Sequence, residues 1–281
     1  MIARSESKLN QLSRQLPEGL LVDAAWMERK GYSRSLRSHY VAAGWLDQPA
    51  RRVYRRGHGP LGWELVVISL QALLEIPLIV GGRTALHVQG VSHYLAQQVR
   101  EVHLYGSAPL PTWVEKLPLD VTFRHHNSER LFANDPITRG LTSMGFDLKS
   151  NQGWSNDSLH GFRQITWGSW GWPLTLSTLE RAYLELLDEL PARESFHQAD
   201  KLMEGLTNLS PRRLTKLLTD CRSVKVKRLF FFFADRHSHS WRRQLDPKNF
   251  DLGSGKRVLV RGGKFDPRYQ ITVPKDLDGD S

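Results

Sequence analysis

The sequence predicts an α+β protein, with an N-terminal winged helix-turn-helix domain followed by a larger, mixed α/β C-terminal domain. Three observations carry this expectation. Residues 31–56, GYSRSLRSHYVAAGWLDQPARRVYRR, read as a short helix ending at Gly44 and a two-stranded ribbon that closes on paired arginines. Basic charge gathers around that stretch: residues 1–60 hold 11 Lys and Arg against 5 Asp and Glu, whereas the remaining 221 hold 28 against 24. After Gly57-His58-Gly59-Pro60, strand-like and helical segments alternate without an internal repeat. The turn-forming tetrapeptide marks the boundary, which places the two domains at 1–58 and 61–281.

In the head, Leu9, Leu12 and Leu16 lie on one face of a first helix that stops before Pro17. Asp23 caps a second helix, AAWMERK, which Gly31 terminates. Ser33 caps the third, with Leu36, Tyr40 and Ala43 on its apolar side and Arg34, Arg37 and Ser38 on the other. That second side sets guanidinium and hydroxyl groups near a helix N-terminus, which suits base edges and phosphates. Trp45–Gln48 and Arg52–Arg55 read as the two arms of a hairpin turning at Pro49-Ala50, with Arg51, Arg52, Arg55 and Arg56 along the wing. Arginines in such a wing reach phosphates or the minor groove. A basic head on a nearly neutral body points to double-stranded DNA as its partner.

In the body, Trp63–Leu74 reads as a buried helix and Ile76–Val80 as a strand, followed by a turn at Gly81-Gly82 into a short helix. EVHLY (101–105) and VTFRH (121–125) alternate like strands, and Pro111 opens a short helix between them. Residues 133–162 read as a long loop, and Arg163–Trp170 has strand character. Ser177–Leu190 is strongly helical, and further helices are expected at 197–206, 211–221 and 224–236. A last hairpin is expected from Lys256–Val260 and Tyr269–Val273, followed by a frayed acidic tail.

The same residues limit the chemistry. No stretch approaches the ~18 apolar residues of a membrane span. The N-terminus lacks an apolar signal region, and a single cysteine, Cys221, forms no internal disulfide, so a cytoplasmic protein without membrane partners is expected. Gly106-Ser107 loosely matches the start of a nucleotidyltransferase motif, but Asp120 has no second acid two residues on to share metal ions. His125-His126 and the His237/His239 pair lack zinc-site spacing, and Asp276, Asp278 and Asp280 sit in a tail, so no metal is expected. Gly253-Ser254-Gly255-Lys256 precedes a strand and lacks the upstream glycine of a phosphate loop. Trp154, Trp167, Trp170 and Trp172 read as packing or partner-facing residues rather than a single-strand platform. No cofactor and no catalytic residue is expected.

Taken together, LVDAAWMERKGYSRSLRSHYVAAGWLDQPARRVYRRG, then GGRTALHVQG, EVHLYG, STLERAYLELLDELP, VKVKRLFFFFADRHSHSW and DLGSGKRVLVRGGKFDPRYQITVP resemble the AbiEi-type antitoxins of type IV toxin–antitoxin systems, over about residues 8–274. The resemblance implies a repressor that binds inverted repeats in its own promoter through head and wing. It also implies a C-terminal domain that neutralises a cognate toxin of the nucleotidyltransferase class, a task for which the head alone does not suffice. Carried onto this sequence, the DNA-contacting positions are Ser33, Arg34, Ser35, Arg37 and Ser38, with the wing arginines Arg51, Arg52, Arg55 and Arg56. No cofactor follows from it. Without a heptad or other pairing element, the chain is expected as a monomer or weak dimer that pairs on DNA. Two alternatives stand beside this one: a transcriptional regulator without a toxin, and an enzyme acting on nucleic acid that the head targets.

Overall fold

The computed structural model describes residues 7–91, 99–135, 137 and 161–278. Trp154, Asp280 and most of the expected loop 133–162 lie outside the described residues.

The head runs α1 (Lys8–Gln15), β1 (Leu21–Asp23), α2 (Ala24–Arg29), α3 (Arg34–Ala42), β2 (Asp47–Ala50) and β3 (Val53–Arg55). Each helix begins at an oxygen-bearing cap: Ser7, Asp23 and Ser33 accept from the N–H groups of Asn10, Trp26 and Leu36. Gly31 and Gly44, at φ +82° and +72°, turn the chain out of α2 and α3. Leu12, Leu16, Leu21, Met27, Tyr32, Leu46 and Val53 are wholly buried between the three helices and an antiparallel sheet ordered β1-β3-β2. The sheet corrects the expected ribbon. Pro49 and Ala50 finish β2, and the turn is Arg51-Arg52, with Ala50 opposite Val53. Proline is tolerated here because β2 is an edge strand that owes no N–H to a neighbour. Arg52 takes φ +65°, and its carbonyl accepts from Ala24 N–H at 2.8 Å, which ties the wing tip to the start of α2.

α4 (Trp63–Ala72) follows the Gly57–Pro60 linker and packs back on the head. Leu21 N–H donates to Ser69 Oγ at 3.0 Å, and one continuous apolar core joins head and body. On its other side α4 lies on a five-stranded sheet ordered β6-β5-β4-β8-β7, formed by β4 (Leu78–Val80), β5 (Glu101–Gly106), β6 (Thr122–Asn127), β7 (Phe162–Trp167) and β8 (Trp172–Ser177). The β5/β6 and β4/β8 pairs are parallel and the β4/β5 and β7/β8 pairs antiparallel. The Gln71 side chain bridges helix and sheet, donating to the Thr175 and Leu78 carbonyls and accepting from Thr175 N–H at 2.9, 3.2 and 3.0 Å. Gly106 lets β5 pack closely on β4: a Cβ there would stand 2.2 Å from the Pro77 carbonyl.

α5 (Gly82–Val88), α6 (Leu179–Asp188), α7 (Phe196–Gly205), α8 (Pro211–Asp220) and α9 (Val224–Arg236) complete the helical layer. Phe230, Phe231 and Phe233 are its buried centre. Arg181 is buried there too, with its guanidinium 4.3 and 4.4 Å from the rings of Phe132 and Phe162, and it pairs with Glu185 at 2.8 Å and Asp135 at 3.3 Å. Two expectations near the C-terminus are corrected. The last hairpin pairs β9 (Lys264–Asp266) with β10 (Ile271–Val273), while from 256–260 only Arg257 forms an isolated bridge. Arg228 is the reason: it donates to the carbonyls of Leu252, Gly255 and Gln270 and so holds that segment as a loop. The tail is docked as far as Leu277, whose carbonyl accepts from Arg236 at 2.9 Å.

Candidate nucleic-acid interface

α3 presents Ser33, Arg34, Ser35, Ser38 and His39 to solvent and buries Tyr40. Ser33 Oγ accepts from Leu36 N–H at 3.3 Å and lies 3.1 Å from Ser35 Oγ, which fixes the hydroxyls at the helix N-terminus. Arg37 does not join them. It is 3% exposed, donating to the Tyr32 carbonyl at 2.7 Å and to Glu28 Oε1 at 2.9 Å, with its guanidinium 5.7 Å from the Tyr54 ring. Helical geometry explains the correction. At 3.6 residues per turn, Arg37 sits about 60° from both Arg34 and Tyr40, on the border of the two faces. An acceptor on α2 and a carbonyl at the turn draw it inward.

The wing divides in the same way. Arg51 and Arg52 stand exposed at its tip, and neither they nor Arg34 have an ion-pair partner among the described residues. Arg55 is buried and donates to Asp47 Oδ2 at 2.8 Å, directly across the β2–β3 ladder. Arg56 Nη1 donates to the carbonyls of Ser13 and Leu16, closing the C-terminal end of α1. Of the nine residues expected to contact DNA, six (Ser33, Arg34, Ser35, Ser38, Arg51 and Arg52) are therefore exposed on the α3 and wing surfaces. Arg37 and Arg55 are built into the head, and Arg56 is partly buried against it. His39 on α3 and Lys30 at the end of α2, its ammonium 5.8 Å from the Trp26 ring, are also exposed and were not singled out from the sequence. Their signal was there: a helical position adjoining Ser38, and a cation at the end of α2.

The body holds a second polar centre that sequence reasoning missed. Glu189 Oε1 lies 3.1 Å from His126 Nδ1, and His126 Nε2 lies 3.0 Å from His103 Nδ1, with Tyr105 stacked 4.5 Å from the His126 ring. His103 lines a cleft of about 480 Å³ together with Arg83, His87, Arg100 and Glu101. Burial, then the neighbouring His126, pushes His103 down to about 4. Burial raises Glu189, but the hydrogen bond and charge of His126 hold it below the ordinary range. His237 and His239 have structural partners: His237 Nε2 faces Asp200 at 2.9 Å and His239 Nε2 faces the Met203 carbonyl at 2.8 Å. No group of three or more His, Cys, Asp or Glu that could hold a metal is present among the described residues. Among them, too, no helix is long and apolar enough to cross a membrane. Trp167 and Trp172 pack against the core, whereas Trp170 is 67% exposed at the β7–β8 turn.

Three helices, a wing and a basic face define a winged-helix head of the kind found in transcriptional regulators, carried on a larger α+β body. Residues 5–97 match the family model described as the N-terminal domain of the transcriptional regulator AbiEi antitoxin. Residues 99–274 match that of the transcriptional regulator AbiEi antitoxin of type IV toxin–antitoxin systems. The chain belongs to the AbiEi antitoxin family. Its fold is similar to that of the RV2827C protein from Mycobacterium tuberculosis, with a TM-score of 0.55 at 15% identity over 94% of this chain and 89% of that one. No curated protein sequence matches the chain.

Proposed function

We propose that the chain is a DNA-binding antitoxin that represses its own operon and neutralises a cognate toxin of the nucleotidyltransferase class, with no catalytic step of its own. The observation that carries the DNA reading is that Arg34, Ser35 and Ser38 on α3 and Arg51 and Arg52 at the wing tip are all exposed, the three arginines without ion-pair partners among the described residues. A helix presented by its N-terminal side chains suits the major groove, and an arginine-bearing wing tip suits the phosphates. Inverted promoter repeats then take two copies of the chain, meeting on the DNA. Toxin neutralisation rests on family membership and on the body. Two experiments on the full chain test the two halves. A gel shift on the upstream inverted repeats must show binding that Arg34→Ala and Arg51→Ala weaken, and co-expression must rescue growth from the toxin encoded beside it. Binding indifferent to both arginines sinks the DNA half, and failure to rescue sinks the other.

A further inference from the structure

The head does not hold all of the chain's basic excess. Residues 242–275 carry nine Lys and Arg against three Asp, while the rest of the body, 61–241 with 276–281, carries 19 Lys and Arg against 21 Asp and Glu. The positive excess of the body therefore lies wholly on the lobe that follows α9. Its densest part is 256–268, KRVLVRGGKFDPR, with five cations and one acid. These residues fold into one small unit. β10 pairs with β9 on one side and takes the isolated bridge from Arg257 on the other, and Thr272 Oγ1 accepts from the N–H groups of Leu259 and Val260 at 2.9 and 3.0 Å. Lys256, Arg257, Arg261, Lys264 and Arg268 are all exposed on it. Arg257 and Arg261 have no ion-pair partner among the described residues.

Charge alone suits any acidic partner, and the apolar groups narrow the choice. Among the described residues the exposed large apolar side chains are Trp45, Trp170, Val258 and Phe265, and the last two belong to this unit. Phe265 is 38% exposed in the middle of β9, and Lys256 Nζ stands 4.8 Å from its ring centre. Phe265 also lines a hollow of about 280 Å³ with Phe232, Lys264, Arg268 and Tyr269. Both carboxylates in that wall are taken. Asp235 accepts from Tyr269, Arg242 and Arg268, and Asp266 Oδ1 accepts from Tyr269 N–H at 2.6 Å. An open aromatic ring on a strand, with cations around it and a hollow below the ~300–1,000 Å³ of drug-sized ligand sites, fits a single base and its phosphates. An acidic peptide would satisfy the cations but brings no flat face for the ring. A double helix keeps its bases stacked inside, so the strand must be single, and the loops and ends of RNA are where proteins meet unstacked bases. We propose that this C-terminal lobe is a second nucleic-acid surface, which binds a single-stranded RNA segment by stacking a base on Phe265 and holding its phosphates with Lys256, Arg257 and Arg261.

Fluorescence anisotropy with the full chain tests this, using an unstructured RNA of about twelve nucleotides, within the span that a small β domain covers. Saturable binding is expected, weakening as salt rises from about 50 to about 200 mM. Phe265→Ala should weaken it at least about fivefold and Phe265→Trp should restore it, a pattern that a change of charge would not give. Arg257→Gln and Arg261→Gln should each shrink the slope of log affinity against log salt by about 0.7, the single-strand value. Arg34→Ala with Arg51→Ala should leave RNA binding unchanged, and Phe265→Ala should leave the operator gel shift unchanged, so the two surfaces fail separately. The proposal is overturned if the RNA does not bind at low salt, if Phe265→Ala binds it like the parent, if single-stranded DNA of the same sequence binds more tightly, or if binding disappears with the head arginines instead. A lobe that ignores RNA, but whose Phe265→Ala and Arg261→Gln variants no longer rescue growth from the toxin, would serve a protein partner and overturn it too.

Discussion

Arg37 Nη2 lies 2.9 Å from Glu28 Oε1, so the arginine near the centre of α3 ties that helix to α2 and points away from the surface. Glu28 is half exposed, and the pair itself adds little to stability. The buried end of Arg37 matters more, through its 2.7 Å bond to the Tyr32 carbonyl and its packing on Tyr54. Arg37→Ala is expected to cost about 1–3 kcal/mol of stability, seen as a lower urea midpoint, with sequence preference retained by the folded fraction. Arg34→Ala should leave the midpoint within about 0.5 kcal/mol and weaken operator binding. Melts and gel shifts on the two variants side by side check this. A stable Arg37→Ala that loses sequence preference would return Arg37 to the DNA.

The wing tip offers a cleaner separation of fold from function. Arg52 sits at φ +65°, where a side chain is strained and glycine is not. Arg52→Gly relieves that strain, so stability should hold or rise by a few tenths to about 1 kcal/mol. The phosphate contact proposed for Arg52 would be lost, and the slope of log binding constant against log salt should shrink by about 1. Arg55→Ala behaves oppositely, because it strands Asp47 across the ladder and lowers stability. Salt titrations of binding by Arg52→Gly decide the matter, and an unchanged slope would take this arginine off the DNA.

These positions show what was legible in the sequence. The helix caps Asp23 and Ser33 and the terminators Gly31 and Gly44 act locally, so residue type and spacing identified them. Arg37 and Arg55 belong to a face or an interior only through partners 9 and 8 residues away, Glu28 and Asp47, and a border position on a helix carries no sign of which side wins. The Gly57–Pro60 linker was visible as composition, but the return of α4 onto the head through Ser69 and Leu21 spans 48 residues. Least visible was the Glu189–His126–His103 chain. EVHLY and VTFRH read as strands, yet nothing local says that they pair in parallel with Tyr105 opposite His126. Nor does it say that α6 ends beside them.

That buried chain gives the body a distinctive response to acid. His103 is 4% exposed and depressed to about 4, while its value in the unfolded chain is near the ordinary 6.5. Below about pH 6.5 the unfolded state takes up a proton that the folded state refuses, so the stability conferred by the neutral ring is fully present above that pH. It drains away as pH falls toward 4, and the loss reaches up to about 3 kcal/mol. Glu101 and Glu189 moderate the loss by favouring the charged ring, whereas Arg83 and His126 oppose it. Glu189, held below its ordinary value, loses its own contribution in a lower range, as its carboxylate is protonated. His103→Asn keeps a polar group against His126 but cannot titrate. It should be less stable than the parent at pH 7.5, and its urea midpoint should fall less between pH 6.5 and 4.5. Equal slopes for the parent and His103→Asn would mean that acid sensitivity resides elsewhere in the fold.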